Sequence, residues 1–154
     1  MKMILGILVC GLPMLLPGLA FSAQTGFSYD AGLAYATHDK DSNDDSTWGP
    51  TIGVNYHFNQ NIGVGLDTFT DGLRWPYLLN ASFIYTFANE SAFSPYAFAG
   101  LGRQWEHTPQ WTAHLGGGLE YTLTAWPSIF VDGRYVLAQE NSYGLLRFGV
   151  RLRF

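Results

Sequence analysis

From Tyr143 to Phe154 the chain reads YGLLRFGVRLRF, and apolar and polar positions alternate residue by residue. Leu146, Phe148, Val150, Leu152 and Phe154 share one face, and Leu145, Arg147, Gly149, Arg151 and Arg153 share the other. A period of two over this length is a β-strand between an apolar and a polar environment. The arginines decide which face is which. In a membrane barrel, an Arg turned to lipid at mid-depth costs about 2–4 kcal/mol, and the cost fades towards the interfaces. The arginine face is therefore expected to point inward and the aliphatic and aromatic face outward.

Seven earlier segments repeat the pattern. The first, about 26–37, puts Phe27, Tyr29, Leu33 and Tyr35 outward, and Ser28, Asp30, Gly32, Ala34 and Ala36 inward. The second, about 48–58, puts Trp48, Ile52, Val54, Tyr56 and Phe58 outward, with Thr51, Gly53, Asn55 and His57 inward. In the third, about 61–70, Ile62, Val64 and Leu66 oppose Gly63, Gly65 and Asp67. The fourth, about 77–87, sets Tyr77, Leu79, Phe83, Tyr85 and Phe87 against Asn80, Ser82 and Thr86. The fifth, about 95–105, is the least regular: Tyr96 and Phe98 are expected outward and Arg103 inward. The sixth, about 110–123, turns Trp111, Leu115, Leu119 and Tyr121 outward and Thr112, His114, Gly116, Gly118 and Glu120 inward. The seventh, about 128–138, turns Ile129, Val131, Tyr135 and Leu137 outward and Asp132 and Arg134 inward.

Eight strands of about this length suit an eight-stranded antiparallel up-and-down transmembrane β-barrel, an all-β fold. An even count places both chain ends on one side, so 59–61, 88–94 and 124–127 become turns on that side. Segments 38–47, 71–76, 106–110 and 139–142 become loops on the other. The first loop is acidic. Its Asp39, Asp41, Asn43 and Asp45 alternate as calcium ligands do, but the glycine and terminal glutamate of an EF-hand loop are missing, and a solvated loop is the better reading. Trp48, Trp75, Tyr77, Trp105, Trp111 and Trp126 lie near strand ends, where an interfacial aromatic girdle belongs.

Residues 1–23 read as a signal peptide, cleaved between about 20 and 23, and 24–154 as the barrel domain. Met1-Lys2-Met3 precedes an apolar stretch that Pro13 and Pro17 interrupt, which makes a poor spanning helix. Together with the barrel pattern, such a signal makes the outer membrane of a Gram-negative cell the expected location. The one cysteine, Cys10, lies in that segment, so no disulfide is expected. Charged residues make up 13% of the chain and aromatics 16%; an ordinary soluble domain carries about 25% charge. Without Lys2, 7 basic and 12 acidic residues remain, a formal charge of −5. Nucleic acid, which needs basic stripes, is therefore not an expected partner.

The inward set carries the candidate chemistry: the acids Asp30, Asp67, Glu120 and Asp132, and the arginines Arg103, Arg134, Arg147 and Arg151. The interior of an eight-stranded barrel is just wide enough for side chains to fill, and charges held there are costly unless paired. These eight residues are expected to form a lumen charge network that plugs and braces the barrel. No cofactor, metal or catalytic group is expected.

The eight-segment count, the signal-like start, the PYAFAGLG run at Pro95–Gly102, the LGGGLEY run at Leu115–Tyr121 and the closing phenylalanine together resemble small eight-stranded bacterial outer-membrane barrels, of the outer-membrane protein A transmembrane-domain and outer-membrane protein X types. The resemblance covers the whole chain after the signal. It implies that Phe148, Val150, Leu152 and Phe154 match a barrel-assembly signal read by the assembly machinery, and that outer-membrane lipid and lipopolysaccharide surround a monomer. It does not choose among a structural or surface-interacting protein, a small pore and a lipid-A-modifying enzyme. Lipid A deacylases of similar build carry His and Ser on one late strand. Here that strand reads Asp132-Gly133-Arg134-Tyr135-Val136-Leu137-Ala138, with neither. His107 and Ser142 fall in predicted loops. A non-enzymatic structural or surface-interaction role is expected.

Overall fold

The computed structural model describes residues 25–37, 46–71, 74–87, 91–105, 109–123, 127–139 and 142–154; of residues 71 and 74–76 the backbone alone is described. The segment expected as a signal peptide, the acidic loop with its calcium-like spacing, Trp126 and His107 lie outside these residues.

Eight strands follow one another: β1 (Gly26–Thr37), β2 (Thr47–His57), β3 (Ile62–Asp71), β4 (Arg74–Thr86), β5 (Phe93–Trp105), β6 (Pro109–Thr122), β7 (Pro127–Ala138) and β8 (Tyr143–Arg153). Each pairs antiparallel with its neighbours in sequence. β8 returns to β1 with Asp30 opposite Arg151 and Gly32 opposite Gly149, so the barrel closes. Closure leaves no strand edge unpaired. The Phe154 amide donates to the Phe27 carbonyl at 2.9 Å, bringing the two ends of the ring to one rim, here the terminal rim. At the same rim, the turn after β2 is set by Asn59: its Oδ1 accepts from the amides of Asn61 and Ile62, both at 2.8 Å. Asn and Asp commonly close turns in this way.

Strand alternation sorts the side chains into two environments. Phe27, Tyr29, Leu33, Ile52, Leu66, Phe83, Leu115, Val131, Phe148 and Val150 are exposed on the outer wall. Ser28, Asp30, Asn55, Asp67, Asn80, Glu120, Asp132, Arg134, Arg147 and Arg151 are buried inside. Rings cluster at the terminal rim, among them Phe27 with Tyr56 at 4.8 Å and Phe93 with Tyr121 at 4.6 Å.

Three expectations need correction. β5 has the opposite parity: Tyr96 and Phe98 are buried in the lumen, while Leu101 is 64% exposed and Arg103 shares its face. Arg103 therefore lies on the outer wall and takes no part in the lumen network. The aromatic rings are inside because they fill space between lumen arginines, a role that hydrophobicity alone does not reveal. Tyr77 also turns inward, 2% exposed, and is not a girdle residue. The register between β3 and β4 shifts between Phe69 and Asp71, and this irregularity buries both Tyr77 and Leu78. Within the segment 71–76, expected as a loop, Asp71 and residues 74–76 instead belong to β3 and β4, with Asp71 opposite Arg74.

Candidate functional site

The lumen holds two ionic clusters stacked along the barrel axis. Nearest the terminal rim, Arg151 of β8 grips Asp30 of β1 with two parallel bonds, Nε to Oδ1 at 2.7 Å and Nη2 to Oδ2 at 2.9 Å. Its remaining nitrogen, Nη1, reaches Glu120 Oε2 on β6 at 2.7 Å. The other oxygen of Glu120 meets Arg153 Nη2 at 2.7 Å and accepts from Ser128 Oγ at 2.5 Å. Asn55 donates to Asp30 at 3.0 Å. Such fork-to-carboxylate pairs are the strongest geometry available to an arginine.

Further in, Arg147 holds Asp132 by the same fork, Nε to Oδ1 at 2.9 Å and Nη2 to Oδ2 at 2.7 Å. Arg134 donates from Nη1 to both oxygens of Asp67, at 3.1 and 3.0 Å. Arg147 Nη1 approaches Asp67 Oδ2 at 3.4 Å, and Arg134 Nη2 approaches Asp132 Oδ1 at 3.9 Å, so the four charges form a closed quartet. Asn80 and the Tyr96 hydroxyl complete the acids, donating to Asp67 at 3.1 Å and to Asp132 at 2.9 Å.

Rings separate and cover the guanidiniums. Phe130 lies against both Arg147 and Arg151, at 5.6 and 5.3 Å from its centroid; Tyr96 lies 5.3 Å from Arg151 and Phe98 4.8 Å from Arg134. A guanidinium face over a ring is favourable and leaves its edge donors for carboxylates.

Beyond the quartet, towards the loop rim, the lumen becomes apolar. Ala34, Ala36, Phe69, Tyr77, Leu78, Val136, Tyr143 and Leu145 pack in one cluster. Gln104 crosses it, donating to the Tyr77 hydroxyl at 2.9 Å and accepting from the Tyr143 hydroxyl at 3.3 Å.

Of the eight residues expected in the network, the lumen brings together Asp30, Asp67, Glu120, Asp132, Arg134, Arg147 and Arg151. Arg153, which takes the place expected of Arg103, keeps four arginines against four acids. Its signal was present in the sequence, since Arg153 shares parity with Arg151. The ring spacers Tyr96, Phe98 and Phe130 were missed. Gly100 and Gly102, on the same parity as Tyr96 and Phe98, are the available clue, because glycines such as Gly49, Gly53, Gly63 and Gly65 mark the inner face of β2 and β3. Phe148, Val150 and Leu152 lie exposed on the outer wall, and Phe154 closes the row with its ring edge-on to Tyr29 at 5.6 Å.

One lumen pair has the elements of a nucleophile and a base. Ser82 Oγ lies 2.9 Å from His114 Nε2. Both residues are buried, and His114 Nδ1 meets no hydrogen-bond partner among the described residues, so the third group that orients a catalytic dyad is missing there. Among the described residues no group of three or more His, Cys, Asp or Glu side chains is placed to hold a metal ion.

No protein-family model matches the chain, and no curated protein is significantly similar to it in sequence. Solved structures do share its architecture. Neisserial surface protein A superposes with a TM-score of 0.68 at 21% identity, covering 84% of this chain and 98% of its own. Outer membrane protein OprG of Pseudomonas aeruginosa gives 0.66 at 15%, covering 86% and 98%. Ail, the attachment invasion locus protein of Yersinia pestis, gives 0.60 at 18%, covering 85% and 99%; a second Ail structure, with a TM-score of 0.55, contains the heparin analogue sucrose octasulfate. The closed ring of eight antiparallel strands is thus the fold of the small outer-membrane β-barrels.

Proposed function

We propose that the chain is an integral outer-membrane β-barrel protein with a structural or surface-interaction role and no catalytic activity, its lumen plugged by the ionic clusters and the apolar cap. The observation that carries this reading is the inverted amphipathicity of the barrel. Arg134, Arg147 and Arg151 are buried among carboxylates while Leu66, Leu115, Phe148 and Val150 are exposed on the wall. Water would be a poor solvent for that wall, and hydrocarbon a good one. The dimensions agree. On β6, Trp111 and Tyr121 are ten residues apart; at about 3.3 Å per residue and a tilt of about 40°, they stand about 25 Å apart along the axis, the height of an outer-membrane apolar band.

In this reading the surrounding lipid and lipopolysaccharide are the protein's first partners, and the last strand addresses it to the assembly machinery after signal cleavage. A small pore and a lipid-A-modifying enzyme are the alternatives. Recognition of a sulfated polyanion, as bound to Ail, is disfavoured, because the segment 38–46 carries four aspartates against one lysine. Two measurements test the proposal. The unboiled protein should migrate differently from the boiled protein on a gel and fractionate with outer membranes. Planar-bilayer recordings should show no large steady conductance. A purely soluble periplasmic pool would refute the membrane assignment, and a stable open channel would refute the plug.

A further inference from the structure

Arg134, Arg147, Arg151 and Arg153 each meet a carboxylate inside the barrel. Arg103 does not: among the described residues its guanidinium meets a ring, Trp111 on β6, with Cζ 5.3 Å from the centroid. It sits on the outer wall of β5, two residues before that strand ends at Trp105, with Leu79 and Trp111 as its cross-strand neighbours. Both neighbours are exposed, Trp111 at 64%. At the terminal rim the outward positions carry rings such as Phe27, Phe58, Phe87 and Phe93, and among the described residues none carries a cation. The wall therefore bears its described cation at the loop rim alone.

An arginine facing the lipid side near a strand end is tolerable because its stem can lie along apolar neighbours while the charge reaches the headgroup layer. Stacking on Trp111 occupies the face of the guanidinium. Among the described residues its in-plane N–H donors meet no acceptor, and that fork fits a phosphate bidentately. Among the described residues the lumen acids and arginines balance one another, so none of those acids is left over to neutralise Arg103.

We propose that Arg103, held against Trp111, binds the phosphate of a phosphorylated glucosamine lipid (the lipid A class) in the leaflet at the loop rim. The inference rests on the outer-membrane reading above and adds the site and its ligand to it.

The test is co-purification of lipid from bilayers. Wild type, Arg103→Gln, Arg103→Lys and Trp111→Leu are refolded into phosphatidylcholine nanodiscs doped with lipid A, and retained lipid A is counted by native mass spectrometry. Arg103→Gln should lose lipid A several-fold, and Arg103→Lys should fall between it and wild type. Lipid A stripped of its phosphates should bind wild type as weakly as intact lipid A binds Arg103→Gln. Equal retention by wild type and Arg103→Gln, or retention indifferent to the phosphates, overturns the proposal. Displacement by an excess of inorganic phosphate that itself stays bound assigns the site to free anions and overturns the lipid. Should Arg103→Gln not fold, Trp111→Leu and the stripped lipid on wild type decide the matter. Failure of wild type to insert into the nanodisc at all refutes the membrane reading instead.

Discussion

Asp67 of β3 and Arg134 of β7 join opposite walls of the barrel. The two strands are four apart in a ring of eight, and Arg134 Nη1 still reaches both oxygens of Asp67, at 3.1 and 3.0 Å. The pair is a strut across the lumen, and Arg147 leans on the same carboxylate. Removing one partner leaves buried charge uncompensated, which costs about 3–5 kcal/mol, whereas replacing the pair by apolar side chains is often neutral. Asp67→Asn should therefore destabilise the barrel by about that much, and Asp67→Leu with Arg134→Met should recover most of the loss. Urea unfolding in phospholipid vesicles, followed by tryptophan fluorescence, checks both. A single substitution that shifts stability by less than about 0.5 kcal/mol, as ordinary surface changes do, would show that the strut is not stabilising.

The seam between β1 and β8 depends on two glycines. A Cβ on Gly149 would lie 2.7 Å from Gly32 Cα and closer still to the Ala31 carbonyl oxygen. A Cβ on Gly32 would lie 2.8 Å from Gly149 Cα. Both obstacles are backbone of the opposing strand, which cannot swing aside, so the glycines are required by space rather than by an unusual φ. Gly149→Ala should reduce the fraction of folded, heat-modifiable protein after refolding. Gly133, whose Cβ would meet nothing within 4 Å, serves as the control, and Gly133→Ala should fold as wild type does. Equal folded fractions for the two variants would show that the seam can relax.

Most of the barrel was legible in the chain because a period of two with arginines on one side leaves a single consistent orientation. Five strands that carry an acid or an arginine at a lumen position, β1, β3, β6, β7 and β8, have their expected parity. β5 does not, because the expectation sets the rings of Tyr96 and Phe98 outward and so turns Arg103 in, whereas both rings are buried. The polar face there is marked instead by Gly100, Gly102 and Gln104, and the cation near the strand end belongs to the wall. Tyr77 was misplaced by an irregularity between β3 and β4, which nothing in the local alternation announces. The partnership of Asp67 with Arg134 was beyond reach for a different reason. It depends on barrel diameter and on the stagger of all the strands between them, and these follow from register, not from composition.

In the plug proposed above, the lumen is filled at two depths by different chemistry. Towards the loop rim the obstruction is apolar, with Phe69 and Tyr77 edge-on at 5.8 Å. Deeper, it is the quartet of Asp67, Asp132, Arg134 and Arg147. Obstacles in series each suffice to block ions, so removing one should change little. Phe69→Ala with Tyr77→Ala should leave planar-bilayer traces quiet. Adding Arg147→Ser with Asp132→Ser, which removes one cation and one anion together, should bring discrete openings. Openings in the first double variant would locate the barrier in the apolar cap alone.

Phe154 offers a way to separate packing from recognition. Its ring sits edge-on to Tyr29 at 5.6 Å, and its amide bonds to the Phe27 carbonyl. The backbone bond survives Phe154→Ala, so the loss in the folded barrel is that of one aromatic pair on a surface, about 0.5–1.5 kcal/mol beyond the area lost. If the ring serves only to pack, the amount assembled in cells should fall no more than this modest loss implies. If the last strand is read by the assembly machinery, refolding of Phe154→Ala into vesicles should be nearly normal while the folded protein in outer membranes falls severely. The second outcome is the one expected, with Leu146→Ala, on the same face near the far end of β8, as the packing control. Comparable losses in vesicles and in cells for both variants would remove the case for a recognition signal at the chain end.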